Sequence, residues 1–356
     1  MKLGTSMRML SGRRSVRGFT LVELMISLVI GLLVIAGVFT VFFASRASYT
    51  QNEAQSRVQE NARIALELLA SDLRHAAFMG CRRFGANDIR VNDADVPLAE
   101  VDLVEERAIR AEPDGLDGTD EIRIMGAMED GTRLGGGVGN VVTPGDLSIE
   151  LLNTTRVPGQ AMGVAMGNGD LATETRFGLI TDCTKGDLFQ LRSDPIVSVP
   201  NNKVTLELDQ TLNYGYGADA VVFPLKQVVY RIQGSGRMDN DDEEIPSLFR
   251  STDGVTFQEI AEGVEDLVVE YGEDTGGDGT VDRFVATDDV ASPPNWARVV
   301  SVRVRLLFVS AQNGVLETEQ TYVFNGVERT TELREPRDLR YRQEFTTAVG
   351  LRNRLR

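Results

Sequence analysis

The chain has 356 residues, with 53 acidic against 37 basic side chains and a formal net charge of −16. That balance argues against a nucleic-acid surface, which needs concentrated positive charge. A single histidine, His75, and two cysteines exclude a histidine triad, an HExxH zinc site and any multi-histidine metal site, so no catalytic residue is assigned.

Residues 1–18 hold Lys2, Arg8, Arg13, Arg14 and Arg17 and no acid. By the positive-inside rule this basic leader stays cytoplasmic. Leu24 to Ala44 then carries no charge, and at about 1.5 Å per residue it covers the roughly 30 Å hydrocarbon core of a bilayer. The segment reads as a single membrane span with the rest of the chain periplasmic. A secretory signal cut near Ala44 or Ala47 is the competing reading, but its apolar core would run only about 7–15 residues.

Glu23 stands near the head of this apolar run, where an ionisable side chain costs up to roughly 2.5–3.5 kcal/mol. A residue that costly needs a partner. The stretch Gly18-Phe19-Thr20-Leu21-Val22-Glu23 resembles the processing site of type IV prepilins and pseudopilins. The resemblance implies cleavage by a prepilin peptidase between Gly18 and Phe19 and N-methylation of Phe19. The new Phe19 ammonium of a neighbouring subunit then supplies the partner for Glu23, since unlike charges attract strongly in a low-dielectric setting and each is penalised alone. The bland alternative is Glu23 snorkelling to the headgroups.

Beyond Ser45, Ala54, Val58, Ala62, Leu66, Leu69, Leu73 and Ala76 recur every three or four residues, the spacing of a helix with one buried face. With the first proline at Pro97, the pattern predicts one helix from Phe19 to about Phe78, some 90 Å long. It divides into a membrane or filament-core half, 19–44, and an amphipathic half, 45–80.

From Cys81 onward the period changes. VVSVRVRLLFV, from Val299, alternates apolar and polar residues as a half-buried strand does. EIRIM at Glu121, LSIEL at Leu147, DLFQL at Asp187, VTLEL at Val204, QVVYRI at Gln227, DLVVEY at Asp266 and TYVF at Thr321 are further candidates, separated by Gly-, Asp- and Asn-rich joints. The expected class is α+β and pilin-like, a long N-terminal helix packed on a mostly antiparallel sheet domain over 81–356. A turn-rich NYGYGAD at 213–219 suggests two lobes, 81–215 and 216–356.

Cys81 and Cys183 lie in an oxidising compartment if the topology holds. A bridge closing that loop of about 100 residues would stabilise by up to about 4.7 kcal/mol in the entropy account; the alternative is two buried thiols. YGEDTGGDGTVDRF, 271–284, spaces Asp274, Asp278 and Asp282 among glycines. It reads either as a Ca²⁺ loop, departing from the EF-hand at Gly276 and Val285, or as a hairpin turn. MDNDDEEIP, 238–246, reads as a solvated loop, and RLGGGVGN, 133–140, as a flexible turn that lacks the Lys-Ser/Thr of a phosphate loop. Eight arginines between Arg329 and Arg356 against four acids make a basic tail, either an acidic-partner site or a solvated surface.

The N-terminal signal, ARIALELLASDLRHAAFMGC, IPSLFR, GVEDLVVEYGEDTGGDGTVDRF, VVSVRVRLLFVS and TTAVGLRNR together resemble the PilW family of type IV pilus minor pilins. The resemblance implies a low-abundance subunit, with no catalytic residues. It joins other minor pilins in the inner membrane, engages the major pilin and the assembly platform, primes pilus assembly and sits at the tip with an adhesin. A type II secretion pseudopilin, a membrane-tethered enzyme and a calcium-dependent adhesin are the alternatives.

Overall fold

The computed structural model describes residues 19–76, 78–80, 82–83, 89–91, 109–112, 121–127, 131–134, 141–152, 177–193, 195–198, 203–252, 256–287, 295, 298–331 and 337–351. The leader with Gly18, Cys81 and most of RLGGGVGN lie outside them, as do the acids and arginines of 332–336 and 352–356. The chain forms two compact units divided between Thr50 and Gln51.

A single helix, α1, runs Leu21–His75. Thr20 is its N-cap. The Thr20 hydroxyl accepts the Glu23 N–H at 3.2 Å and the Thr20 carbonyl accepts the Leu24 N–H at 3.1 Å, so the first turn is closed by a residue that is not itself helical. Ser27 and Thr40 donate their hydroxyls to the Glu23 and Gly37 carbonyls, at 2.8 Å each. Polar side chains inside the apolar run are thereby satisfied by their own backbone.

In the second unit, Val58, Ala62, Ala65, Leu69, Ala70 and Leu73 form the buried face of α1. The expected stripe is present, with Ala54 and Leu66 only half-buried and Ala65 and Ala70 added. It packs into a core that takes Tyr230, Ile232 and Leu248 from one sheet and Leu267, Val269, Val302, Val304, Leu306 and Phe308 from another. Small residues at 62, 65 and 70 let the helix sit close to the strands beneath it.

The second of those sheets has four antiparallel strands in the order Arg283–Ala286, Val264–Glu273, Val299–Val309, Arg342–Gly350. The first is a nine-stranded sheet centred on the long strand Val221–Met238, which pairs with Glu244–Ser251, Glu121–Ala127 and Phe177–Thr181. Its strand Ile89–Val91 runs parallel to Gly186–Gln190, while the other ladders among the described residues are antiparallel. The fold is therefore α+β with a mostly antiparallel sheet portion, as the sequence predicts. Each of the eight strand candidates falls on a strand.

Gly263 stitches the two sheets together. It follows Gln258–Glu262 of the larger sheet and precedes Val264–Glu273 of the smaller; its N–H donates to Pro246 O and its C=O accepts from Val309 N–H, both at 2.8 Å. Its φ of +75° is glycine's territory, and a Cβ there would lie 2.3 Å from Val309 O.

A second core lies between Phe177–Thr181, Gly186–Gln190 and the three-stranded sheet Ile196–Ser198, Lys203–Glu207, Ser148–Leu152. At its centre the buried Asp187 carboxylate accepts from Asn213 N–H, Asn213 Nδ2, Tyr214 N–H and the Tyr216 hydroxyl, at 2.8–3.0 Å. The NYGYGAD turn is thus folded around one acid. Burial pushes that carboxyl above the usual carboxylate range despite the four donors.

Candidate assembly surface

In the first unit, the large apolar side chains from Phe19 to Phe43 are exposed, Phe19 most of all at 81%. α1 is long and apolar enough to cross a membrane by length and composition. Such a continuous apolar surface is not left in water; it is covered by lipid or by other helices. Phe39, Phe42 and Phe43 cluster near the end of the run, with ring centroids 6.2 and 5.9 Å apart, ahead of Arg46 and Tyr49. Of these, Tyr49, an aromatic with a polar tip, and the Arg46 cation are the kinds of residue that mark a membrane–water boundary.

Glu23 is exposed on the first turn. Ser27 and Thr40 are bonded to their own backbone, whereas the Glu23 carboxylate meets no hydrogen-bond or ion-pair partner among the described residues. Thr20-x-x-Glu23 is also the sequence of a capping box, the one signal in the processing motif that announces where the helix starts. Phe19 and Thr20 precede the helix, so the backbone on the mature side of the expected cut is not helical.

The second unit is fastened to its part of α1 by polar contacts as well as by the core. Asp72 pairs with Arg250 and Tyr230, and Asn61 Nδ2 donates to Glu262 O at 3.1 Å. His75 Nδ1 lies 2.8 Å from Ser71 O, on an exposed last turn.

Past the helix, Gly80 is packed against Phe223 and Thr181, a Cβ on it falling 2.7 and 3.2 Å from their side chains. Two residues after Thr181 comes Cys183, which is disulfide-bonded. Its turn is held by Asp182, whose Oδ1 accepts from Thr184 N–H, Thr184 Oγ1 and Lys185 N–H. Although burial pushes the other way, these bonds and the Lys185 charge hold the Asp182 carboxyl below its usual range.

The 271–284 loop joins Val264–Glu273 to Arg283–Ala286 as a hairpin. Its carboxylates serve the loop's own donors. Asp274 accepts from the Gly277, Asp278 and Gly279 N–H groups, Asp278 from Thr280, and Asp282 from Thr275 N–H, Thr275 Oγ1 and Gly276 N–H. Among the described residues, no group of three or more His, Cys, Asp or Glu side chains is placed to hold a metal ion.

The acidic 238–246 stretch turns between Val221–Met238 and Glu244–Ser251 with Asp242, Glu243 and Glu244 exposed, and one of its acids is drawn inward. Asp239 is only 8% exposed, accepts from the Asp241 and Glu243 N–H groups, and pairs with Arg340. Tail arginines are likewise taken up internally: Arg340 by Asp239 and Glu243, Arg342 by Glu265 and Asp338, Arg329 by Asp266. Sequence alone sees the charge of these residues but not which strand lies opposite.

On the outer face of the four-stranded sheet, Glu270 accepts from both Arg303, at 2.6 Å, and Arg305, at 3.0 Å, and Arg305 continues to Glu344 at 2.8 Å. Burial raises the Glu270 carboxyl, and the two guanidinium groups outweigh it, leaving the net position below the usual range.

Comparison with known families finds two matches. Residues 13–39 match the prokaryotic N-terminal methylation motif, and residues 229–353, from the rear of the long strand through the four-stranded sheet, match the type IV pilus-assembly protein W (PilW) family. No curated protein and no solved structure matches.

Proposed function

We propose that this chain, a prepilin-type protein with a PilW-family region, is a minor pilin that primes assembly of a type IV pilus. In this reading the leader stays in the cytoplasm, prepilin peptidase cuts between Gly18 and Phe19, and Phe19 is N-methylated. The mature chain waits in the inner membrane with its sheet portion in the periplasm, joins other minor pilins and the major pilin on the assembly platform, and is carried out at the pilus tip beside an adhesin. Removing a leader with five basic residues and no acid from a chain of −16 leaves −21 before the new amine is counted. The domain is then strongly acidic outside the membrane.

The observation that carries this is the uncommitted Glu23 carboxylate on the first turn of an exposed apolar helix, four residues after Phe19. In bilayer or filament core it needs a cation, and the new Phe19 ammonium of an adjacent subunit is the one the processing reaction creates. Glu23→Gln tests it. Insertion and cleavage should be normal, while co-purification with other pilins and pilus number both fall. A desolvated pair that loses one partner is destabilised by about 3–5 kcal/mol, and even a third of that shifts an equilibrium about tenfold. Normal pilus numbers at wild-type expression would contradict the pairing.

A further inference from the structure

Asn168-Gly169, Asn313-Gly314 and Asn325-Gly326 are the Asn-Gly pairs of the sequence, and the first lies outside the described residues. An asparagine before glycine is open to attack on its side-chain amide by the next backbone nitrogen, because glycine has no Cβ to crowd the ring that forms. The fold treats the other two pairs differently.

Asn313 is tied down. Its Nδ2 donates to Asp241 Oδ2 and Arg337 O, and its Oδ1 accepts from Gly314 N–H and Leu339 N–H, all at 2.5–2.7 Å. The nitrogen that would attack, Gly314 N, already directs its proton at the same amide's oxygen, and the amide cannot turn without breaking bonds to two other segments.

Asn325 stands at the tip of the hairpin formed by Thr321–Phe324 and Val327–Thr330. Phe324 pairs with Val327, so Asn325 and Gly326 are the whole turn, with φ of +51° and +73°, as a type I′ turn requires. Both are exposed. The Asn325 N–H donates to Glu344 Oε2 at 2.8 Å, but the Asn325 side-chain amide and the Gly326 N–H meet no partner among the described residues. The amide carbon and the attacking nitrogen are thus both unbonded and both in water.

We propose that Asn325 is a site of spontaneous deamidation that ages the outer face of the four-stranded sheet. Gly326 N, giving its proton to hydroxide, bonds to Asn325 Cγ; the Cγ–Nδ2 bond breaks and Nδ2 leaves as ammonia with a proton from water, which leaves a cyclic imide. Water then opens the imide on either side, giving aspartate or, where the backbone C–N bond is the one cut, isoaspartate. Both products act on Glu344, which also accepts from Arg305 Nη1 at 2.8 Å and Thr346 Oγ1 at 2.9 Å. Aspartate sets a second negative charge beside that carboxylate. Isoaspartate adds a methylene to the main chain of a two-residue turn, so Phe324 and Val327 lose the geometry that closes the hairpin, and Phe324, buried next to the turn, is loosened. The reaction needs only water and takes place whether or not the chain enters a pilus.

The test incubates the full-length chain in detergent micelles at mildly alkaline pH and follows its peptides by mass and chromatography. The Asn325 peptide should give two products of one mass, aspartate and isoaspartate, while the Asn313 peptide reacts at least ~10-fold more slowly, since its segment must first open. Unfolding the chain in urea before incubation should bring the two rates within ~3-fold of each other. Amide exchange reads the consequence: the Phe324 and Val327 amides should exchange at least ~10-fold faster in the aged chain. Asn325→Gly keeps a turn that glycine fits at both positions and removes the reacting amide, so its exchange should not change on incubation. An Asn325 that survives in the folded chain while the unfolded chain converts, an Asn313 that reacts as fast, a rate ratio that persists in urea, or hairpin amides unmoved by conversion would overturn the proposal.

Discussion

Asp72 on α1 and Arg250 on the sheet, 178 residues apart in sequence, form a two-toothed ion pair at 2.8 and 3.2 Å, and the Tyr230 hydroxyl donates to the same carboxylate at 2.5 Å. Burial and then the Asp72 charge push the Tyr230 phenol well above its usual range, and Asp72 outweighs burial in keeping the Arg250 guanidinium firmly protonated. The pair fixes helix register against the larger sheet, where apolar packing alone would tolerate a slide.

Asp72→Ala should therefore destabilise the second unit by about 3 kcal/mol, because it strands a guanidinium and a hydroxyl in a mostly buried site. Asp72→Asn, which keeps an acceptor, should cost less. Urea midpoints for both, with the Asp72→Ala/Arg250→Ala double variant, decide it: the double should fall short of the sum of the singles.

Gly263→Ala should be worse than its one added methyl suggests. The substitution meets Val309 O at 2.3 Å and puts alanine at a φ of +75°, so a loss of about 3 kcal/mol or more is expected. The hydrogen bonds to Pro246 and Val309 are shared between sheets, and amide exchange should rise in both. Exchange confined to one sheet would show that Gly263 does not couple them.

Much of this architecture is legible in the sequence, and the reason is periodicity. The α1 stripe and the alternation of Val300, Val302, Val304, Leu306 and Phe308 follow from which face is buried, and a face repeats along the chain. Ion pairing does not repeat. Asp239 sits in the most acid-dense stretch of the chain, yet it is buried because Arg340, 101 residues later, lies opposite. Asp187 reads as one polar residue in a strand, and only the returning Asn213–Tyr216 turn makes it a hub. Thr20 was within reach: the Thr-x-x-Glu cap is written inside the processing motif, but the motif's meaning as a cleavage site hides it.

The Glu270 ladder makes stability depend on acid pH. Its folded carboxyl, like that of Glu344, titrates below the usual range because guanidinium bonds outweigh burial at Glu270, and the Asn325, Thr346 and Arg305 bonds do so at Glu344. A lowered folded pKa means the stabilisation is complete above the unfolded value, near ~4.3, and is lost as pH falls through the folded one. Glu270→Gln should accordingly be less stable than wild type at pH 7, with the gap closing below about pH 4. A gap that persists unchanged at pH 3 would mean the carboxylate charge contributes nothing.

Cys183 is disulfide-bonded, and Cys81 is the other cysteine in the chain. We propose that the two form one bridge, tying the residues after α1 to the Phe177–Gln190 hairpin. Cys81→Ser, Cys183→Ser and the double variant should then lose the same stability, about 2–5 kcal/mol. Unequal losses, or quantitative thiol labelling of the unreduced unfolded protein, would contradict the pairing.

The central claim, that this is a processed prepilin whose α1 head enters an assembly, is tested most directly by the mass of the N-terminal peptide of the mature chain isolated from membranes. The account predicts a chain beginning at Phe19 with one added methyl group on its amine, and an uncut precursor when Gly18 is replaced by a bulky residue. A mature chain beginning at Ser45 or Ala47, or one that keeps its leader, would contradict it.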